Sequence, residues 1–430
     1  MAAAHALALL AVCVALCVSA NVLAWFGIPY TAEGGNFVLK LHPASDLCCL
    51  AAAARLVFSA RSFCTRLVAE PLVALYLCAV AMCLVLELLM TGVGNLVVLL
   101  DTYLPAGLLA AVCCDATDAQ RARLRAALQL CFVGNILLAL IEGVTHSTLV
   151  PLAPDGPADL LTEAEFRPMA LYDHPLTGAA MTLIAAFVPP DRASRPRLHD
   201  LYCCLIPLGL VAFGGRAAMA AGGLCLCWFG AGVIRRAVLR RHAPLRILAL
   251  VPVAVLGGVA AGVAIYFSGL GGRLERHFYW DSSAQVRLDQ WHVLDLLNAQ
   301  QMMFGAARKD VIALLEPLRL AYGVPVIENF WLLMFLSLGL LGYPFFLTGL
   351  ASLLSWCARQ GGGRGLPMVL ALLAAASTSN SLGRKSTLLL VLVAAASSMS
   401  RPVVVAKLPS PARSRQQPGF PQTPLPQPVV

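Results

Sequence analysis

Apolar runs of about 20 residues, separated by short polar connections, recur from the start of this chain to about residue 400. Each run matches the roughly 30 Å of hydrocarbon that a spanning helix must cross. The runs lack the alternation of barrel strands, so helices are the only spanning form the pattern allows. The pattern predicts spans near residues 5–28, 37–60, 71–90, 95–114, 126–146, 172–189, 198–213, 217–234, 247–270, 330–356, 366–381 and 386–400. That is twelve, or as few as ten, because the run near 172 and the last two are short or polar at their ends. The first run has no basic leader and no small-residue cleavage site, so it reads as a retained helix.

Composition agrees. A mean hydropathy of +0.79 with 12% charged residues excludes an ordinary soluble protein. Basic residues then orient the chain. One alternate set of connections, with residues 401–430, holds 19 of the 31 Lys and Arg; the other set holds 11. The richer set is expected inside, which puts both termini in the cytoplasm. The net charge of +9 is explained by the anionic inner leaflet and calls for no nucleic acid. The 15 cysteines sit mostly within or beside apolar runs and read as small packing residues.

Residues 1–400 read as one polytopic membrane domain, and the Pro-rich residues 401–430 as a disordered cytoplasmic tail. The stretch 271–329 is the one connection large enough to fold, on the outer side. Within it Arg287, Trp291, Leu294 and Asn298 fall on one face of a single helix, and Val311, Ile312, Leu314, Leu315 and Leu318 on one side of a second. No internal repeat is visible.

Ionisable groups inside spans cost about 2.5 to 3.5 kcal/mol each at the helix centre, so each needs a partner or a task. Glu87, Asp101 and Glu142 fall in the outer parts of their helices; Glu87 either reaches the headgroups from near its helix end or lines an outward cavity, while Asp101 and Glu142 are explained by interhelical hydrogen bonding or by lining that cavity. Arg216 lies at an outer junction between Gly214, Gly215, Ala217 and Ala218, where small neighbours let a ligand come close. Outward arginines suit a phosphate or diphosphate, because the guanidinium stays charged and forks to two oxygens. They also suit ordinary anionic lipids.

The order of these parts resembles the superfamily of O-antigen ligases and Wzy-type polysaccharide polymerases, with exopolysaccharide polymerases nearest. The resemblance rests on an outer "RP…HPL", the junction "GGRAAMA", the loop segment "RLDQWHVLDLLNAQQMMFG" and "ENFWLLMFLSLGLLG", and it covers roughly residues 120–360. It implies a GT-C-like, metal-independent and cofactor-free glycosyltransferase of the bacterial inner membrane. The donor would be an undecaprenyl-diphosphate-linked oligosaccharide, and the acceptor a sugar hydroxyl of a growing polysaccharide on the periplasmic face. A flippase and a chain-length regulator are the partners such an enzyme implies. By the resemblance, Arg216 and Arg287 hold the diphosphate, while Arg167, Asp173, His174, Trp291 and Asn329 line the substrate site.

This chain departs from the family at one place. Ligases carry a His before the Asn that opens the span after the large loop; here the pair is Glu328 and Asn329. A partly buried carboxylate can take a proton as the His would, so Glu328 is the expected general base, with helix-start acid as its structural alternative. His174, His277 and His292 are substitutes. A flippase or transporter is the competing reading, but it calls for repeats and for broken or charged helices near the midplane, which the sequence does not display. A noncatalytic membrane component of an export complex is the third.

Overall fold

The computed structural model describes residues 2–31, 40–152, 166–215, 217–225 and 282–400. In chain order the helices are α1 (Ala2–Cys17), α2 (Ala20–Trp25), α3 (Pro43–Ala69), α4 (Pro71–Met90), α5 (Val93–Val98), α6 (Leu104–Cys113), α7 (Asp118–Thr145), α8 (Pro175–Ala185), α9 (Pro196–Phe213), α10 (Ser282–Asp289), α11 (Ala299–Phe304), α12 (Arg308–Tyr322), α13 (Phe330–Gln360), α14 (Gly365–Ala376) and α15 (Leu388–Met399). A π-turn, Leu99–Tyr103, joins α5 to α6, and a 3-10 segment, Gln290–Leu296, follows α10. No strand occurs among the described residues. Five helical stretches are long and apolar enough to cross a membrane: α3, α4, Val93–Cys113, α7 and α13. The protein is therefore an all-helical, multi-pass membrane protein. The expected spans at 247–270 and most of 217–234, and residues 401–430, lie outside the described residues.

Three of the expected spans form helices too short to cross alone. α8 has 11 residues, and α14 and α15 have 12 each, or about 18 Å at 1.5 Å per residue. Their position explains the length. Residues Leu388 to Ser398 of α15 are all buried, so this helix is the centre of the bundle, packed by α1, α6, α7, α8 and α13. A helix enclosed by protein has no need to match the bilayer. Its run of Val, Ala and Ser lets neighbours approach closely. Large apolar side chains of the outer helices, such as Phe58, Leu89, Leu130 and Val144, stay exposed and suit a lipid surround.

Other expectations need correction because helices break where the sequence looked continuous. The first span stops at Cys17; the freed carbonyl of Val18 meets His42 Nε2 at 2.6 Å, and Ser19 caps α2. The span 330–356 is interrupted within α13 at Gly339, which has φ 60° and ψ −175°. The Ala306 amide donates to the Leu336 carbonyl left over by that break, at 2.7 Å, and Asn95 Nδ2 donates to the Ala306 carbonyl at 3.0 Å. The single helix face running from Arg287 to Asn298 is also absent. Helix α10 ends at Asp289, the 3-10 segment ends at Leu296, and Asn298 caps α11 in a reciprocal pair with Gln301. The second amphipathic helix forms as expected in α12, with Leu318 buried and Val311, Leu314 and Leu315 packed around it, although Ile312 is exposed.

Among the described residues, different connections lie at the two ends of α15. At its C-terminal end Arg125 donates to the Ser398 carbonyl, and Arg364 lies within electrostatic range of Arg125. At its N-terminal end the connection 377–387 meets the start of α13 and the segment before α8.

Candidate functional site

A buried glutamine joins the large connection to α13. Gln290 accepts at Oε1 from the amides of Glu328 (2.9 Å) and Asn329 (3.2 Å), and its Nε2 donates to the Arg287 carbonyl at 2.9 Å. This clamp sets Arg287 Nη2 at 3.1 Å from a Glu328 carboxylate oxygen. Both side chains are about 36% exposed, so the pair adds at most about 1 kcal/mol to stability. Arg287 Nε is buried without a hydrogen-bond partner among the described residues, so the guanidinium retains donor capacity. Glu328 stands just before the N-cap of α13; the cap itself is Asn329, whose Oδ1 accepts from the amides of Trp331 and Leu332. Glu328 therefore pairs with a cation, while Asn329 supplies the side-chain cap.

The connection between α14 and α15 is bound to the same place. The Phe330 amide donates to the Ser379 carbonyl, Trp331 Nε1 to Ser377 Oγ, and Asn380 Nδ2 to the Ile327 carbonyl. The π-turn holds its far half. Thr102 Oγ1 donates to the Arg384 carbonyl and accepts from the Ser386 amide, both at 2.9 Å, and the Tyr103 hydroxyl donates to the Leu382 carbonyl at 2.6 Å. The extra residue of a π-turn re-aims side chains that an α-helix would leave on its own face. Asp101, in the same turn, accepts from the Tyr30 hydroxyl, the His42 amide at 2.7 Å and Ser45 Oγ at 2.6 Å.

This scaffold gathers cations. Arg384 is exposed, yet desolvation by the protein around it, and then the like charge of Arg308, push its guanidinium below the usual range. The opposing charges of Asp173 and Glu328 act on it in the other direction. Burial pushes the Lys385 ammonium down to about 8; it donates to the carbonyls of Tyr30 (2.6 Å) and Lys40 (3.0 Å) and lies 4.2 Å from the centre of the Tyr30 ring. Crowded positive charge is relieved by an anion.

The segment carrying Arg167, Asp173 and His174 is pinned by α7. Glu142, fully buried, accepts from the amides of Leu149, Met169 and Ala170 at 2.7 to 2.8 Å, and Asn135 Oδ1 accepts from Leu171 at 3.1 Å. The carboxylate holds Ala170 at φ 52°, a conformation an alanine rarely adopts. His174 caps α8, its Nδ1 accepting from the Leu176 amide at 3.1 Å. Asp173 and Arg384 both act electrostatically on His174. Arg167 Nε is buried without a hydrogen-bond partner among the described residues.

Of the residues expected from the sequence, Arg287, Glu328, Asp173 and His174 thus come together around Arg384. Asn329 is committed to a helix cap, and Trp291 is 46% exposed on the 3-10 segment. His292 stacks on Tyr322 and pairs with Asp295. Arg216 and His277 lie outside the described residues; Gly215 packs against Ala179 of α8. Of the acids, Asp101 and Glu142 resolve to hydrogen bonding between chain segments, and Glu87 accepts from Thr91 Oγ1. Sequence reading passed over Gln290, Asn135, Arg384 and Lys385; a pair of adjacent cations in a short connection otherwise made of small residues was the available signal for the last two. No cluster of His, Cys, Asp and Glu able to hold a metal ion occurs among the described residues. A scan of protein-family models finds no match to this chain, and a search of curated proteins finds none either.

Proposed function

We propose that the protein is a polysaccharide polymerase or ligase of the GT-C-like membrane glycosyltransferases. It would take an undecaprenyl-diphosphate-linked glycan as donor and transfer it to an acceptor sugar hydroxyl at the outer face of the bacterial inner membrane. A twelve-span topology with both termini inside belongs to the same proposal; reporters placed after Arg195 and after Gly323 giving the same side would sink it. The observation that carries the reading is the Arg287–Glu328 ion pair, whose carboxylate lies within electrostatic range of Arg384.

In the inferred chemistry the acceptor oxygen attacks the anomeric carbon and the bond to the diphosphate oxygen breaks with inversion. The leaving charge goes to Arg287, Arg384 and, by the resemblance, Arg216. The hydroxyl proton goes to Glu328. The ion pair suggests how donor and base are coupled: a diphosphate competing for Arg287 frees the carboxylate to take the proton. The break at Gly339 meets one expectation of the transporter reading, but its freed carbonyl is bound by the Ala306 amide. The test is polymer formation from purified lipid-linked repeat units. Arg287→Ala and Arg384→Ala should each abolish it at normal protein level, with Lys at position 287 rescuing poorly because it loses the fork. Wild-type output from both Ala variants would overturn the proposal.

A further inference from the structure

The end of the bundle opposite this site carries a second feature. A cavity of about 130 Å³ opens there among the first turns of α1 and α7, the last turn of α6 and Ser397 of α15. Small-molecule sites usually exceed about 300 Å³, so this one suits a phosphate-sized group and excludes a whole nucleotide or sugar chain. Its lining is divided. Leu9, Leu109 and Leu124 supply an apolar wall, while His5, Gln120, Arg121 and Arg123 supply a polar one, in which Arg121 Nη1 also donates to the Ser400 carbonyl at 3.4 Å.

Three sources of positive potential converge on it. Helix α1, of 16 residues, and α7, of 28, both begin there, so two positive dipole ends face the same space. The third is the arginine pair. Arg121 lies 3.8 Å from Asp118, which is 71% exposed, and Arg123 has no hydrogen bond or ion pair among the described residues. The other acid nearby, Asp115, is already engaged by Arg55 and His5. The rim continues onto an exposed strip of α1, where Ala6 and Leu10, one helical turn apart, face outward.

We infer that this cavity binds the phosphate of an anionic phospholipid, whose chains lie along Ala6 and Leu10 of α1. Cation and helix ends would take the headgroup, and the apolar strip explains why the ligand is a lipid. A free phosphate would satisfy the same polar wall, so the experiment separates the two. Purified protein is equilibrated with mixed phosphatidylglycerol and phosphatidylcholine, and retained lipid is read by native mass spectrometry, with inorganic phosphate as competitor. Wild type should retain phosphatidylglycerol selectively. Arg123→Gln should lower that selectivity roughly fivefold, as expected for one arginine near a charged surface. Ala6→Phe, which obstructs the rim at unchanged charge, should lower it too. Millimolar phosphate should leave retention intact. Equal retention of both lipids by wild type, or no change in either variant, would overturn the inference, and displacement by phosphate would make the site one for a free anion. The site-directed loss of polymer described above does not bear on this result, since the two sites share no residue.

Discussion

The amide of Ala306 donates to the carbonyl of Leu336 across 2.7 Å, which seats the large connection on the break in α13. The seat needs two glycines. A β-carbon on Gly305 would stand 1.9 Å from the Ser337 carbonyl oxygen, and one on Gly339 would stand 2.4 Å from the Gly305 nitrogen. Both residues also have positive φ. Gly305→Ala and Gly339→Ala should therefore each destabilise by more than the ~1–3 kcal/mol of backbone strain alone, and expose the connection to protease. Gly323→Ala, at φ 67° with nothing within 4 Å, is the control and should cost only the strain. Equal protease resistance in all three would remove this account.

Glu328→Gln tests the coupling of base and donor. The amide cannot take a proton, so elongation should fall by roughly 10² to 10⁴. It also stops neutralising Arg287, so binding of the lipid-linked donor should tighten or hold. Glu328→His should recover part of the rate. Elongation by Glu328→Gln at the wild-type rate would leave Glu328 as a partner of Arg287 and nothing more.

Glu142 should matter through the segment it holds. Glu142→Gln places an NH₂ donor against amides that now share a carboxylate, and leaving one buried amide unpaired costs about 1 to 3 kcal/mol. Hydrogen exchange should rise at Leu149 and Met169–Leu171 first, with donor affinity weakened and Arg287 chemistry otherwise intact. Unchanged exchange at those amides would show that the carboxylate is dispensable.

Lys385 sets a pH dependence. Its folded pKa, about 8, lies below the usual 10.5, so the unfolded chain binds the extra proton between those values. Stability should then rise with pH across that window. Binding of an anionic donor should move oppositely, weakening as pH rises through about 8. Lys385→Arg, which stays charged, should flatten the binding profile; an identical profile in that variant would take Lys385 out of the site.

The apolar period and length by themselves determined that the chain is helical and resides in a membrane, because no other structure satisfies its backbone in lipid. Arg287 and Glu328 were singled out by the resemblance, Glu328 because it stands where the family carries a His, and not by the apolar pattern. Period and length could not determine which apolar runs are enclosed. Leu388–Met399 reads as a short span, and only packing on every side makes it the centre. Nor could they find the break at Gly339, because a glycine in an apolar run is ordinary until a second backbone, at Gly305, needs its space. Arg384 and Lys385 were two more basic residues in a count; a π-turn some 280 positions away, through Thr102 and Tyr103, fixes the connection that carries them. Glu142 looked like a charge in lipid and is instead the acceptor for three amides of a distant segment. Such pairings join residues far apart in the chain, and local pattern carries no information about which distant backbone groups will need a partner.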